Sequence, residues 1–104
     1  MDQGAAPPVF SASAEIDGDH LHVVVAGEVD MATADTMLHT ALREPAGQIT
    51  LDLSRVTFFD SAAIHALVRL AQQCPGSLTV VPSRQVRRVL EISGLGGQSW
   101  LRPA

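Results

Sequence analysis

Apolar residues recur along the chain in two spacings, one typical of strands and one typical of helices. From 49 to 53, apolar and polar residues alternate strictly, which predicts a strand with one buried face. The segment from Leu21 to Ala26 contains three consecutive valines and is typical of a central strand that is covered on both faces. Two shorter runs, Val9 to Glu15 and Leu78 to Val81, bring the prediction to four strands.

Three stretches follow the helical spacing instead, near 31–43, 61–73 and 83–93. Asp30 and Asp60 precede the first two, at the position where a carboxylate caps a helix by accepting hydrogen bonds from its free amides. In the second helix the apolar residues fall at i, i+3, i+4 and i+7. The residues that we expect in the core are Val23, Val25, Leu51, Leu53, Ile64, Leu67, Val68, Val89 and Leu90.

The predicted order of elements is β-β-α-β-α-β-α. Strands that alternate with helices of this length form parallel units with right-handed crossovers. The Asp17-Gly18-Asp19 turn favours a hairpin, which adds one antiparallel strand at the start. We therefore expect an α/β fold, a single domain with a four-stranded mixed sheet, mainly parallel, packed by about three to four helices. Residues 1–8 are expected to form a flexible tail and 9–104 the domain.

Composition excludes several classes of protein. The chain has 104 residues, a formal net charge of -4 and one cysteine, so it forms about one domain without an internal disulfide or a cysteine-rich zinc site. The net charge is negative, and basic residues cluster only at Arg84, Arg87 and Arg88. Both facts argue against direct binding of nucleic acid. No apolar run approaches the roughly 20 residues of a membrane span, and no signal peptide is visible. The prediction is a cytoplasmic protein without membrane insertion and without a cofactor.

The segment from Val56 to Leu67 contains the main candidate for chemistry. It begins apolar, turns at Asp60-Ser61 and continues as a helix, which leaves the Ser61 hydroxyl at the rim of the helix. If the second and third strands are parallel, their carboxyl ends lie side by side, where sites collect in α/β sheets. We therefore expect Asp30, Asp60 and Ser61 to be neighbours beside two helix N-termini.

Three segments together resemble the signatures of STAS domains, a family that includes the tails of sulfate transporters and the anti-sigma factor antagonists. They are Gly27-Glu28-Val29-Asp30, the stretch 51–64 that contains Asp60-Ser61, and the stretch 86–95 that contains Ser93-Gly94-Leu95. The resemblance spans roughly Val9 to Leu101. A free-standing chain of this length is most similar to the bacterial anti-sigma factor antagonists.

The resemblance implies a function in transcription regulation and in the bacterial stress response. In that family the unphosphorylated antagonist binds an anti-sigma factor, which is itself a serine kinase, and the sigma factor is released. The kinase phosphorylates the serine that follows the aspartate, which here is Ser61. We expect the partner to contact this serine and five residues around it, with no catalytic residue and with the chain a monomer or weak dimer; those five are Glu28, Asp30, Asp60, Ala62 and His65.

The sequence departs from the family at one informative place. Ser61-Ala62-Ala63 stands where Ser-Ser-Gly or Ser-Thr-Gly is common, so the phosphoacceptor is present but the second hydroxyl is absent. Ala63 is a better helix former than glycine, so the helix should form. Asp-Ser-Ala-Gly sequences also occur in accessory STAS subunits of membrane transporters, such as those paired with phospholipid-transport ATPases. This docking function is the alternative.

Two other groupings of residues carry weaker signals of function. Ser61 and His65 are one helical turn apart, but a hydrolase would also need an orienting acid and an oxyanion hole, which nothing in the sequence places. His20 and His22 share one face of a strand, but with no third ligand specified they predict a solvated pair rather than a metal site. Cys74 is expected to be a buried small residue beside a turn.

Overall fold

The computed structural model describes residues 9–103, so the predicted tail at 1–8 and Ala104 lie outside the described residues. The elements follow the expected order, with three helices. They are β1 (Phe10–Asp17), β2 (His20–Val29), α1 (Ala34–Leu42), β3 (Gln48–Phe59), α2 (Ser61–Gln73), β4 (Leu78–Pro82) and α3 (Arg84–Ile92).

The four strands form one mixed sheet in the order β1-β2-β3-β4. β1 is antiparallel to β2, and the other two pairs are parallel, as predicted. The predicted hairpin is present: Asp17 pairs with His20, and Gly18 takes a positive φ of 62° in the two-residue turn. Among residues 9–103, no helix has the length and apolar character needed to span a membrane.

Among residues 9–103, the core lies on one face of the sheet only. Leu21, Val23 and Val25 of β2 are buried and belong to one cluster with buried residues of all three helices. On the opposite face His22 is exposed, and Val24 is only half-buried. The prediction that β2 is covered on both faces is therefore wrong. The run of three valines suggested burial on both faces. Val24, the central one, faces the side of the sheet that no described helix covers.

The inward face of α2 is rotated by one residue from the prediction. The buried residues are Ala63, Ala66, Leu67 and Leu70, whereas Ile64 and Val68 are half-buried at the margin of the core. Small alanines occupy the face that packs against the sheet and α1, so the larger apolar residues do not mark the centre of the buried stripe. Val89 of α3 is likewise half-buried rather than buried. The other six predicted core residues are buried.

The C-terminal segment covers the outer edge of β4. The Val80 amide donates to the Trp100 carbonyl at 2.7 Å, and the Arg102 amide donates to the Val80 carbonyl at 3.0 Å. Leu101, which forms an isolated bridge with Val80, is buried with the core. This side of the sheet is thus closed by the chain itself.

Candidate functional site at the carboxyl ends of β2 and β3

The carboxyl ends of β2 and β3 lie side by side, as the parallel arrangement predicts. Val29 is paired with Phe59, and the Asp60 amide donates to the Val29 carbonyl at 3.2 Å. The residues that follow the two strands therefore start from the same end of the sheet. This places Asp30 and Asp60 in neighbouring connections, next to the start of α2.

Asp60 is the N-cap of α2, as expected. Its backbone is extended, and its carboxylate accepts a hydrogen bond from the Ala63 amide at 3.0 Å. This bond satisfies one of the free amides of the first turn and places a negative charge at the positive end of the helix dipole. Ser61 is the first residue of the helix and is exposed. Its hydroxyl is accessible at a helix start that another side chain already caps.

Asp30 does not cap α1, and that prediction is wrong. The N-cap position is three residues later, at Thr33, and α1 begins at Ala34. The Asp30 carboxylate instead accepts from the Ala32 amide at 2.9 Å, while the Asp30 carbonyl accepts from the Ala34 amide at 2.8 Å. A short aspartate side chain often forms this local turn in preference to a helix cap.

Thr33 ties this turn to the end of β2. Its hydroxyl accepts from the Asp30 amide at 3.0 Å and donates to the Glu28 carbonyl at 3.0 Å. The connection between β2 and α1 is consequently held by its own hydrogen bonds. Glu28 itself is exposed, next to the 46% exposed ring of Phe58, with which it is paired across the two strands.

A shallow groove of about 320 Å³ runs between α1 and α2 at this end of the molecule. Ala34, Ala62 and Ala66 form much of its lining, and these small side chains leave the space between the two helices open. Three of the sequence-predicted residues line it, namely Ser61, Ala62 and His65. Glu28, Asp30 and Asp60 do not line the groove; they lie along the end of the sheet beside it.

Five residues of the groove were not among the predicted site residues, namely Ala34, Ala66, Met31, Asp35 and Arg69. Met31 is 85% exposed and stands at the mouth of the groove, while Asp35 of α1 and Arg69 of α2 contribute one charge of each sign. Met31 follows the aspartate that ends the strand, and a large apolar residue in a polar turn was the signal available. Ser61, His65 and Arg69 fall at i, i+4 and i+8 and form an exposed stripe of α2.

The structure adds nothing to the rejected catalytic and metal sites. Among residues 9–103, no hydrogen bond joins Ser61 to His65, and no group of three potential ligands could hold a metal ion. The His20 and His22 rings stack with their centroids 4.0 Å apart, and His20 Nε2 lies 2.7 Å from the Thr50 hydroxyl. This packing accounts for the histidine pair on the uncovered face of the sheet.

A larger hollow of about 670 Å³ lies at the opposite end of α2, between that helix, β4 and the C-terminal segment. Cys74 and Trp100 line it, both half-buried. Burial raises the pKa of the Cys74 thiol above its ordinary value, which keeps the thiol protonated and weakly nucleophilic. This larger hollow is therefore separate from the capped helix start and the exposed Ser61, which lie at the other end of α2.

Comparison with known proteins places this geometry in a family. A family model described as "Mlab, STAS domain" matches residues 12–103. No curated protein matches the sequence.

Several solved structures share the fold at low sequence identity. One is an anti-sigma factor antagonist from Mycobacterium paratuberculosis, with a TM-score of 0.76 and 24% identity over 96% of this chain and 91% of that one. The anti-sigma factor antagonist SpoIIAA in its unphosphorylated form gives a TM-score of 0.66 and 21% identity, over 90% of this chain and 88% of that one. The phosphorylated form of the Bacillus cell fate determinant SpoIIAA gives a TM-score of 0.60 and 20% identity, over 90% of this chain and 91% of that one. At these identities the likeness establishes the fold.

Proposed function

The chain belongs to the STAS domain family, and on this premise we propose that it acts as an anti-sigma factor antagonist controlled by phosphorylation of Ser61. In its unphosphorylated form it binds an anti-sigma factor, a serine kinase, and so releases a sigma factor for transcription. Phosphorylation by that kinase ends the binding. The observation that carries the proposal is the exposed Ser61 hydroxyl on the first turn of α2, beside an open groove and the exposed Met31.

The groove and the adjoining end of the sheet form the proposed partner surface. Ala62 is small and half-buried, so a partner backbone can approach the helix closely at this point. Glu28 and Asp30 supply negative charge, which suits a basic partner surface. Met31 offers a long apolar side chain that is free to be buried. A transient complex of this kind buries around 800 Å² on each side.

Phosphorylation is expected to change binding and to leave folding nearly unaffected. A phosphate on Ser61 adds about -1.5 to -2 charges at pH 7. The helix N-terminus favours an anion by about 0.3–1 kcal/mol at an exposed position. The neighbouring Asp60 carboxylate opposes this by a similar amount, because water screens both groups. In a packed interface the same charge must be desolvated or must displace the partner.

The protein thus works by binding in the cytoplasm, as a component of a transcriptional stress response, and not by catalysis. Ser61 serves as the acceptor of a phosphate that the partner supplies from ATP. His65 and Arg69, on the same stripe of α2, contribute to the contact surface.

The test is phosphate transfer followed by titration of variants against the kinase. The chain is incubated with ATP and an extract of its source cells, re-isolated, and mapped by mass spectrometry; the kinase captured with it is then purified. We expect one phosphate, on Ser61. Ser61→Ala should bind the kinase and accept no phosphate, and Ser61→Asp should bind at least tenfold more weakly, about 1.4 kcal/mol.

Ser99→Asp is the matched control for charge. Ser99 is exposed in the hollow at the far end of α2, a helix of 13 residues that is about 20 Å long, so its charge should not alter binding. Phosphate on another residue, or equal affinity of Ser61→Asp and wild type, would refute the switch.

The second candidate is an accessory subunit of a membrane transporter, which uses the same groove for constitutive docking. The pair Ala62-Ala63 favours it, because the position after Ser61 lacks a second hydroxyl and Ala63 is buried in the core. In that case the captured partner remains with the membrane fraction, no phosphate is transferred, and Ser61→Ala binds as the wild type does. The gene neighbourhood provides an independent check, with transporter genes in place of a kinase or sigma factor gene.

A further inference from the structure

The two outer edges of the sheet are closed to different degrees. The C-terminal segment pairs with β4, as described above, whereas nothing among residues 9–103 pairs with the outer edge of β1. β1 is eight residues long and pairs with β2 without a register shift. An edge strand of this kind is a template for pairing with another chain.

The hydrogen-bond pattern identifies which backbone groups of β1 point outward. The Glu28 amide donates to the Val9 carbonyl at 2.6 Å, so Val9 faces β2, and every second residue after it does the same. The N–H and C=O groups of the remaining residues face away from the sheet; they belong to Phe10, Ala12, Ala14 and Ile16.

The first five residues of β1 carry none of the usual obstacles to pairing, and its charges lie only at Glu15 and Asp17. Between Phe10 and Ala14 there is no charge, proline or bulge, and the residues between Phe10 and Glu15 are all serine or alanine. Ile16 is 50% exposed, although it pairs with Leu21 and so points to the face of the sheet that carries the core. The end of the apolar layer is thus left uncovered.

We propose that the outer edge of β1 pairs antiparallel with the same edge of a second copy, about a two-fold axis through Ser13, to give a weak dimer with a continuous eight-stranded sheet. Only this register uses all four outward-facing residues. It sets Ala12 opposite Ala14 of the second copy and Phe10 opposite Ile16. The two largest side chains of β1 then cover each other at the margin of both cores, on the same face of the joined sheet.

Charge supports a second copy as the occupant. In this register Glu15 lies opposite Ser11 of the second copy and Asp17 opposite Val9, so no acidic residue faces another across the junction. Like charges directly opposite each other would destabilise a strand pair. Because a single strand pair makes a small interface, the dissociation constant should fall in the micromolar to millimolar range. None of the residues that line the groove beside Ser61 belongs to β1, so the dimer does not use them.

Sedimentation equilibrium over a concentration series tests the dimer, with Ala12→Pro as the disrupting variant. Proline at this position removes the outward-facing N–H of residue 12 and breaks no hydrogen bond to β2. Edge strands tolerate proline at such positions. It should weaken dimerisation at least tenfold, with an unchanged circular dichroism spectrum. Ala12→Val, which retains the N–H, is the matched control and should dimerise as the wild type does. A wild type that stays monomeric into the millimolar range would overturn the proposal.

Disulfide trapping tests the register even where the proline variant fails to fold. In a Cys74→Ser background, Ser13→Cys places two thiols in a directly opposed pair without hydrogen bonds. Their Cα atoms are about 4.5 Å apart, within the range of a disulfide. Ser11→Cys places its two thiols about four residues apart along the strands, roughly 13 Å.

We expect Ser13→Cys to form the covalent dimer rapidly under mild oxidation and Ser11→Cys to form it only when mixed with Glu15→Cys. Equal rates for Ser13→Cys and Ser11→Cys alone would contradict the register and the dimer with it.

Discussion

Replacing Gly27 by alanine is expected to separate the start of β1 from β2. Gly27 takes a φ of +90°. A Cβ built there would lie 2.1 Å from the Val9 carbonyl oxygen and 2.7 Å from its carbon, both of them backbone atoms. That same carbonyl accepts the hydrogen bond from the Glu28 amide. Alanine therefore strains its own backbone and also pushes against the strand that it adjoins.

The two effects can be given separate magnitudes. A positive φ costs a residue with a Cβ about 1–2 kcal/mol. Displacing Val9 also breaks its bond to Glu28, which is worth about 0.5–1.5 kcal/mol net. The expected loss in the free energy of unfolding for Gly27→Ala is thus about 1.5–3.5 kcal/mol.

Gly76→Ala is the matched control, because it isolates the first effect. Gly76 has a φ of +77°, but nothing lies within 4 Å of its Cβ position, so only the backbone strain of about 1–2 kcal/mol applies. Urea unfolding followed by circular dichroism measures both variants, with the slope m checked for constancy. An equal loss for Gly27→Ala and Gly76→Ala would refute the close approach between β1 and β2.

Three further predictions concern the core, the partner surface and the thiol. Leu67→Ala should lower the free energy of unfolding in urea by about 2–5 kcal/mol. Ile64→Ala should lower it less, because Ile64 is half-buried whereas Leu67 is fully buried. Equal losses would mean that the inward face of α2 is wrongly assigned. Ala62→Arg should abolish binding of the captured kinase without altering the urea midpoint, and unchanged affinity would place the interface elsewhere. Burial raises the pKa of Cys74, so its contribution to stability is complete below its ordinary value of 9.0 and is lost as the pH rises through the higher folded pKa. As the pH rises above 9.0, wild type should therefore lose more stability than Cys74→Ser does, and parallel pH profiles would contradict this.

The order of elements was predictable because local sequence rules determine most of it. The strict alternation in β3 and the helical spacing in α2 each indicate one structure. The turn at Gly18 and the cap at Asp60 are likewise set by residues adjacent in sequence. These features depend on interactions that span a few residues, so a single sequence contains the information for them.

The errors arose where the outcome depended on contacts that are distant in sequence. Whether Val24 is covered depends on which side of the sheet the helices occupy, and no local pattern encodes that choice. Ile64 is larger than Ala63, yet Ala63 is buried because the helix packs closely through its alanines. Asp30 takes part in a local turn, in which its amide donates to the Thr33 hydroxyl and its carboxylate accepts from the Ala32 amide. This turn competes with a helix cap at Asp30, and residue propensities alone do not predict which of the two forms.

The candidate site was predictable in position but not in full composition. Parallel strands bring Asp30 and Asp60 to one end of the sheet, and this follows from topology alone. Met31 stands out locally as a large apolar residue in a polar turn, but its place at the groove, like that of Asp35, depends on the packing of α1 beside α2.

Asp60 and Ser61 are adjacent, but substitutions at the two positions affect stability and binding differently. The Asp60 carboxylate accepts from the Ala63 amide, so its removal costs about 0.5–2 kcal/mol of stability in addition to any effect on a partner. Weak binding of Asp60→Ala would therefore not distinguish a lost contact from a frayed helix. Ser61 is exposed and does not cap the helix, because Asp60 does so. A charge on Ser61 can therefore alter binding without unfolding the first turn of α2. The helix start is thus stabilised by one residue, while the exposed hydroxyl lies on the next, which is the separation that the proposed phosphorylation switch requires.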